Sequence, residues 1–431
     1  MKRTPFALIW SIYLLALLPV LAKAQTSISP DLEAKVIEWR RDIHENPELS
    51  NREFRTAKLV NDHLVSLGIE TRTGVAHTGV VGVLKGGKPG PIVALRADMD
   101  ALPVVERVDL PFASKVKATY LDKDVGVMHA CGHDTHTAML MGAAEILASK
   151  RAEIAGTIIF LFQPAEEGAP PGERGGASLM VEEGALKNPD VDVVFGIHIN
   201  SQTPVGDIKY RPAGIMAAND DLRIDLKGAQ THGAYPWNGV DPITTAAQII
   251  LGLQTTVSRN AKLPTAAAVV TIGKVDAGVR GNIIPETASM IGTIRTLDIA
   301  MQNQIHEDIR RVATNIAKSA GAEATVTITR GNPVTYNDPK LTAMMLPTLE
   351  RTTGKEHTYL MDAVTGAEDF SYYAREVPGL FIFVGGMDPA KKPEEVAPHH
   401  TPDFYIDERG LKTGVSAYVN LAMDYIKLTE E

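Results

Sequence analysis

The sequence predicts an α/β fold in which a sheet with helices on both faces is interrupted by a smaller α+β unit. Up to about residue 215, compact apolar runs bounded by glycine alternate with helical segments, as in a sheet covered on both faces. Between 216 and 330 the strands alternate apolar and polar residues, as in a sheet with one solvated face. The run LFIFVGG (380–386) and a final helix then return to the first pattern. We therefore predict a larger domain in two halves, 25–215 and 331–431, with a second domain, 216–330, inserted between them.

The first half begins with two predicted helices and continues with buried strands. Apolar residues recur at helical spacing from Leu32 to Leu67, and Asn46-Pro47 interrupts them, so a corner is expected there. Asp134 is expected to cap a helix that runs to about Ala148, and another helix is expected near 176–184. Short apolar runs predict strands at 80–84, 92–98, 157–162 and 192–198.

The inserted segment predicts about four strands and two helices. The strands are expected at 221–228, 266–275, 286–295 and 324–330. The helices are expected at about 242–259 and 298–319. After the strand at 380–386, the last helix is expected at 407–428.

Residues 1–24 resemble a secretory signal peptide. Lys2 and Arg3 precede an apolar run from Phe6 to Leu21, which is short for a membrane-spanning helix, and Ala22-Lys23-Ala24 suits cleavage. We expect an exported protein, periplasmic or secreted, with an uncleaved anchor as the alternative.

The formal net charge of −9 is spread without a basic run, so nothing points to nucleic acid. The single cysteine excludes an internal disulfide.

Metal-binding residue types lie at the ends of several predicted strands. Ligands of open α/β sheets bind outside the carboxyl ends of the strands. The candidates are Asp98 and Asp100, Glu166 and Glu167, His198, Cys131 and His133 before a helix, and His399 and His400 near the end of the chain. Each has an ordinary structural explanation alone, but together they place buried charge that a divalent metal would neutralise.

The spacing within two of these motifs suits metal-assisted hydrolysis. Cys131 and His133 are two apart in a turn, so both can face one metal, and His136 follows one helical turn later. The adjacent carboxylates of Glu166 and Glu167 point apart, so one can bind metal while the other serves as general base for a water. The candidates exceed the three protein ligands of a single catalytic zinc, which favours a second metal.

These motifs resemble those of the dinuclear metal aminoacylase and carboxypeptidase family, in particular its subfamily of hippurate hydrolases, N-acyl-amino-acid amidohydrolases and indoleacetyl-amino-acid hydrolases. The similar segments are RRDIHENPELSNREFRTAKLV (40–60), ALRADMDALPVVE (94–106), HACGHDTHTAMLMGAA (129–144), LFQPAEEG (161–168), GIHIN (196–200), IIPE (283–286), GTIRTLD (292–298), GAEDFSYY (366–373) and HHTPDFYIDE (399–408). The resemblance implies a metallopeptidase-like catalytic domain and an inserted lid and dimerisation domain.

The resemblance also implies a role for individual residues. Two divalent metal ions would be bound by Cys131, His133, Glu167, His198 and His400. Glu166 would be the general base and later the acid. His400 is preferred to His399 because the family's ligand directly precedes a Ser/Thr-Pro step, and His129 and His136 are left as structural or supporting residues. Asp98, Asp100 and Asp134 would orient ligands without binding metal themselves.

The inserted domain would contribute to the substrate site. His232 matches a histidine that reaches a substrate carbonyl, often from the partner subunit, and Asn282 and Arg295 match positions that hold a substrate carboxylate. The alternative is that these three are surface or sheet-pairing residues. The segment GAQTHGAYPWNG departs from the common pattern GKGGHGAxPHxG, and Trp237 in place of a histidine leaves the acyl-group preference open.

We therefore expect a metal-dependent amidohydrolase that cleaves N-acyl or N-aroyl amino acids, or small peptides, to a carboxylic acid and a free amino acid. The expected cofactor is two divalent ions per subunit, with zinc, manganese, cobalt and nickel all compatible. A homodimer through the inserted domain is expected, without a membrane partner after signal cleavage. Two alternatives are a non-catalytic periplasmic metal- or ligand-binding protein on this fold and a cysteine hydrolase that uses Cys131.

Overall fold

The computed structural model describes residues 28–430, so the predicted signal peptide lies outside the described residues. Its helices are α1 Pro30–Glu45, α2 Phe54–Ser66, α3 His133–Ser149, α4 Gly176–Glu182, α5 Pro242–Thr255, α6 Ile299–Ser319, α7 Pro339–Thr353, α8 Ser371–Glu376 and α9 Leu411–Glu430. Its strands are β1 Glu70–Val75, β2 Gly79–Lys85, β3 Lys88–Asp98, β4 Lys117–Tyr120, β5 Lys123–Gly126, β6 Ala155–Gln163, β7 Val193–Pro204, β8 Ile208–Tyr210, β9 Ala213–Met216, β10 Ala218–Lys227, β11 Thr231–His232, β12 Ala268–Ala277, β13 Ile283–Ile284, β14 Thr287–Thr296, β15 Glu323–Arg330, β16 Thr335–Asn337, β17 Thr358–Leu360 and β18 Gly379–Met387. No helix among these residues has the length and apolar character needed to cross a membrane.

The larger unit is built on an eight-stranded mixed sheet, in the order β1-β2-β6-β3-β7-β18-β8-β17. The central strands β6, β3, β7 and β18 are parallel to one another, and β1 and β2 add an antiparallel edge. Because the central strands are parallel, their carboxyl ends meet at one edge of the sheet.

Both faces of this sheet are covered, as the sequence predicts. Successive side chains of β3 point to opposite faces: Val93 and Leu95 pack in the core beneath α1, α3 and α9, whereas Ala94 packs in a second core with residues of α4 and α8, such as Met180. The predicted corner between α1 and α2 is also present, and Ser29 caps α1 through the backbone N–H of Leu32. The α/β fold class is thus confirmed.

The segment from β10 to β15 forms its own antiparallel sheet, in the order β12-β14-β10-β15. In β10, Leu222 and Ile224 are buried against α5 and α6, while Asp221 and Arg223 are exposed. This alternation gives the inserted unit a separate apolar core and one solvated sheet face. The chain passes into and out of the unit beside the short antiparallel pair of β9 and β16.

Two predicted details are wrong or incomplete. The N-cap residue of α3 is Gly132 rather than Asp134, which lies in the first turn and makes no hydrogen bond to the backbone. Gly132 has φ 97°, and a Cβ there would lie 2.4 Å from a methyl group of Ile199, so glycine is required. The helices α7 and α8 were not predicted; α7 contains Pro347 in its interior, which obscures its helical pattern.

Candidate active site

Five predicted metal ligands converge at the carboxyl edge of the large sheet. Cys131 and His133 lie at the start of α3, Glu167 in the turn after β6, His198 on β7, and His400 in the loop before α9. Cys131 Sγ is 3.4 Å from His198 Nε2 and 3.3 Å from His400 Nε2. Glu167 Oε1 is 3.1 Å from His400 Nε2 and 4.0 Å from His133 Nε2. The structure therefore brings together donor atoms from four separate parts of the sequence.

The donor atoms themselves are those of a cation site. His133 Nε2 is buried and has no hydrogen-bond partner among the described residues. Buried polar atoms without partners are costly unless something satisfies them. Thiolate, imidazole and carboxylate donors suit zinc and similar divalent ions. The residues present therefore fit the two divalent metal ions that the sequence predicts.

The ligand rings are oriented by hydrogen bonds from their other nitrogens. His133 Nδ1 lies 2.9 Å from the backbone carbonyl oxygen of Asp100 and 3.2 Å from the side-chain Oδ1 of Asp100. The other ring nitrogen of His133, Nε2, therefore faces the cluster. His198 Nδ1 donates to the carbonyl oxygen of Ile199 at 2.5 Å. Burial and the neighbouring rings of His136 and His399 lower the pKa of His198 well below its ordinary value, and the neutral ring is the form that binds metal.

Two of the three predicted supporting aspartates, Asp100 and Asp98, form hydrogen bonds next to the candidate ligands. Asp100 orients His133 and also accepts hydrogen bonds from the backbone N–H groups of Glu166 and Glu167, both at 3.1 Å. Asp98 accepts from His136 Nδ1 at 2.6 Å, and His136 Nε2 accepts from the N–H of the residue after His198. Both aspartates therefore support the ligands.

Asp134 supports the helix rather than a ligand, contrary to the prediction. Its Oδ2 lies 2.8 Å from Arg40 Nε and 2.9 Å from His44 Nδ1, and all three side chains are buried. His44 Nε2 in turn lies 3.1 Å from Glu106. This buried group of charges fixes α1 against the start of α3, and the sequence motif alone did not reveal it.

The two histidines near the end of the chain have separate tasks. His399 Nδ1 donates to the carbonyl oxygen of Cys131 at 3.1 Å, and its Nε2 accepts from the N–H of Ser201 at 3.2 Å. Both of its nitrogens are thus engaged with backbone, whereas His400 Nε2 faces Cys131 and Glu167. This geometry supports the preference for His400 as the ligand.

Glu166 is a free carboxylate beside the cluster. Its Oε2 is 3.9 Å from His133 Nε2, and its side chain is 9 % exposed. Burial, together with the carboxylates of Glu368 and Glu167, raises the pKa of Glu166 well above its ordinary value. Burial and the carboxylates of Glu167 and Glu166 raise the pKa of the Cys131 thiol.

A cavity of about 440 Å³ opens over this cluster, between the large sheet and the start of the inserted unit. The amide side chains of Asn200, Asn219 and Asn332 line one part of it. Met361 and Phe383 contribute to an apolar part. The cavity therefore offers both hydrogen-bonding and apolar surface next to the candidate metal ligands.

The three predicted residues of the inserted unit lie apart from this cavity. Among the residues that the structure describes, its lining includes none of His232, Asn282 and Arg295. His232 is exposed on β11, and the carbonyl oxygen of Asn282 accepts the N–H of Gly233 at 2.8 Å, so these two are close neighbours. Arg295 is half-buried on β14 and pairs with Asn219 of β10, which does line the cavity.

Two charged groups near Glu166 were missed by sequence reasoning. Arg96, fully buried on β3, lies between Asp98 and the adjacent acids Glu368 and Asp369. The only sequence signal was an arginine within an otherwise apolar strand and the acidic pair in GAEDF. Neither signal shows that residues 270 positions apart would meet.

Comparison with known proteins places the chain in a family. The profile of peptidase family M20/M25/M40 matches residues 94–424. Thermostable carboxypeptidase 2 of Saccharolobus solfataricus is 41% identical over 397 residues, which are 92% of this chain and 96% of that protein. IAA-amino acid hydrolase ILR1-like 2 of Arabidopsis thaliana is 38% identical over 403 residues, 93% of this chain and 87% of that protein.

The solved structures agree with this assignment. The YXEP protein of Bacillus subtilis, described as a dinuclear metal binding peptidase from the M20 family, is 36% identical and superposes with a TM-score of 0.78 over 93% of this chain and 99% of that one. The resemblance predicted from the motifs is thus confirmed, as is the prediction of a metal-dependent hydrolase. The chain belongs to peptidase family M20/M25/M40.

Proposed function

We propose that this protein cleaves the amide bond of N-acyl or N-aroyl amino acids, or of small peptides, to give a carboxylic acid and a free amino acid. The observation that carries the proposal is the convergence of five donor side chains beside the free carboxylate of Glu166, 3.9 Å from His133 Nε2. A free carboxylate next to a metal cluster is the arrangement that general-base hydrolysis needs.

The chemistry divides between the ions and Glu166. When bound, two divalent ions supply Lewis-acid activation of water and of the scissile carbonyl. Glu166 accepts a proton from the attacking water as the new C–O bond forms, and it returns that proton to the nitrogen as the C–N bond breaks. Asp100 holds the turn that carries Glu166 through two backbone hydrogen bonds, which keeps the carboxylate near the ligands.

The cavity supports a substrate with both apolar and polar parts. Met361 and Phe383 suit an apolar acyl group or amino-acid side chain, and the amides of Asn219 and Asn332 suit a carbonyl or carboxylate. This combination is what an acylated amino acid presents.

Three further proposals concern the context of the site. We propose that the protein is a homodimer through the inserted unit and that His232 acts in the partner's cavity, since it is exposed and lies apart from the cavity of its own chain. Asn282 and Arg295 would bind the substrate carboxylate in that arrangement. We also propose that the protein is exported, to the periplasm or the medium, on the strength of residues 1–24.

A substrate panel tests the proposed function. Metal-free protein would be reconstituted separately with zinc, manganese, cobalt or nickel and given hippurate, acetyl- and indoleacetyl-amino acids, and a dipeptide. We expect free amino acid to be released only by metal-loaded protein and release to stop when a chelator is added. Metal binding without release from any substrate would favour a binding protein. Activity that resists the chelator but is lost to iodoacetamide would favour a cysteine hydrolase.

A further inference from the structure

A buried group of charges lies next to Glu166 and centres on Arg96. This guanidinium is fully buried and donates through Nη1 to Asp98 at 2.6 Å, and through Nη2 to Glu368 at 2.9 Å and Asp369 at 3.0 Å. Its Nε donates to Gln163 at 2.8 Å. One buried cation therefore contacts three carboxylates.

Two of the three are occupied on both oxygens. Asp369 accepts from Gln163 Nε2 at 2.7 and 2.8 Å and from the backbone N–H of Ala177 at 2.7 Å, in addition to Arg96. Asp98 accepts from Arg96 on one oxygen and from His136 on the other. These bonds account for both side chains as parts of the folded framework.

Glu368 is different because it is anchored on one side only. Its Oε1 accepts from Arg96 and from the backbone N–H of Phe370, each at 2.9 Å. The side chain is nearly buried but borders the cavity. One of its oxygens lies within 4.8 Å of the carboxylates of Glu166 and Asp369. A fixed carboxylate is thus placed beside the general base.

The two oxygens of Glu166 face different neighbours. Oε2 lies 3.9 Å from His133 Nε2 in the ligand cluster, and Oε1 lies 3.4 Å from the backbone nitrogen of Asp369, the residue after Glu368. Rotation of the Glu166 side chain would therefore determine whether its carboxylate faces the reacting water beside His133 or the charged side chains around Arg96.

A cation is not needed to explain this acidic trio. The ligand atoms of Glu166, Glu368 and Asp369 are close enough for a metal ion. However, Arg96 already supplies the positive charge to Glu368 and Asp369 through two short contacts. The buried guanidinium therefore supplies to these two carboxylates the positive charge that an ion would otherwise supply.

We propose that Glu368 is a positioning residue for Glu166. Its anchored carboxylate repels the ionised side chain of Glu166 toward His133, where the reacting water is expected. The inference rests on the proposed role of Glu166 as general base.

Two substitutions of Glu368 separate this role from a purely structural one. Glu368→Gln keeps the length of the side chain but replaces the negative oxygen near Glu166 with an amide donor. We expect kcat to fall roughly tenfold to 100-fold with KM within about twofold, because small displacements of a catalytic group cost this much. Glu368→Asp keeps the charge, so it should retain more of kcat than the Gln variant. A structural role, as a counter-charge of Arg96, predicts instead that any fall in kcat accompanies a loss of thermal stability, which is measured for both variants.

The experiment uses the metal-loaded enzyme and a substrate from the panel above. Glu106→Gln is the matched control: its side chain is 1 % exposed and paired with His44, away from the cavity, so kcat should be unchanged. Metal content is measured for every variant. Wild-type kcat in Glu368→Gln, a fall in kcat/KM that comes only from a rise in KM, or a fall in kcat that follows loss of metal overturns the inference. Glu166→Gln is assayed alongside, because activity in that variant would instead overturn the proposed function.

Discussion

Replacing Asp134 with Ala removes the counter-charge of a buried guanidinium, and we expect it to destabilise the protein by about 3 kcal/mol. Asp134 Oδ2 lies 2.8 Å from Arg40 Nε, and the two side chains are 0 % and 1 % exposed. Breaking a buried ion pair by removing one partner costs about 3–5 kcal/mol. The lower end applies here because Arg40 Nη1 keeps a second carboxylate, Glu408, at 3.2 Å.

The acid dependence of the same pair has a definite sign. Burial alone would raise the pKa of Asp134, but Arg40 and His44 outweigh it and hold the pKa below its ordinary value. A carboxyl whose pKa is lowered by folding stabilises the protein above the unfolded pKa, about 4, and loses that contribution as the pH falls further. The gap in stability between wild type and Asp134→Ala should therefore narrow below about pH 4.

Urea unfolding, monitored by circular dichroism, measures the loss of unfolding free energy at neutral pH. Arg41→Gln is the matched control because Arg41 adjoins Arg40 and binds the same Glu408, yet it is half-exposed. Exposed ion pairs contribute about 0–1 kcal/mol, so this variant should unfold close to wild type. If Asp134→Ala lowers the free energy of unfolding by less than Arg41→Gln does, the expected effect of the buried charge is refuted.

Three further predictions concern pH, metal and subunit contacts. Burial and the carboxylate of Asp100 raise the pKa of Glu53 from 4.5 to about 8, so its contribution to the free energy of unfolding falls by about 1.4 kcal/mol per pH unit between those values. Glu53→Gln should remove this slope, and urea midpoints that change with pH in the same way for both proteins from about pH 5 to 8 would contradict it. Cys131→Ser should weaken binding of at least one ion by more than roughly tenfold in a metal titration, whereas wild-type affinity would show that the thiol is not a ligand. Mixing His232→Ala with Glu166→Gln subunits should restore about a quarter of wild-type activity, because half of randomly formed dimers contain one intact site; no recovery after confirmed subunit exchange would show that His232 does not act across subunits.

Buried strands were the most predictable part of the fold. The runs at 92–98 and 157–162 fall within β3 and β6, because central parallel strands are apolar on both faces. The helices α7 and α8 escaped prediction for physical reasons: α7 carries an interior proline, and α8 is only six residues long. Short or interrupted helices depend on tertiary packing, which local periodicity does not record.

The candidate metal ligands could be proposed from the sequence because they lie at strand ends or in short motifs. Cys131, His133 and Glu167 are each marked by their position next to a predicted element. Glu368 has no such mark: it lies in a loop about 200 positions from Glu166, and only the folded chain brings both to Arg96. The cap assigned to Asp134 failed for a related reason, since its partners come from α1.

Steady-state hydrolysis by metal-loaded Glu166→Gln, with bound metal measured in the same sample, tests the central claim most directly. The substitution removes the proton acceptor but leaves the five donor side chains in place. We predict that kcat falls at least about 100-fold, the usual contribution of a general base, while two ions remain bound per chain. A kcat within tenfold of wild type, with both ions bound, would contradict the account.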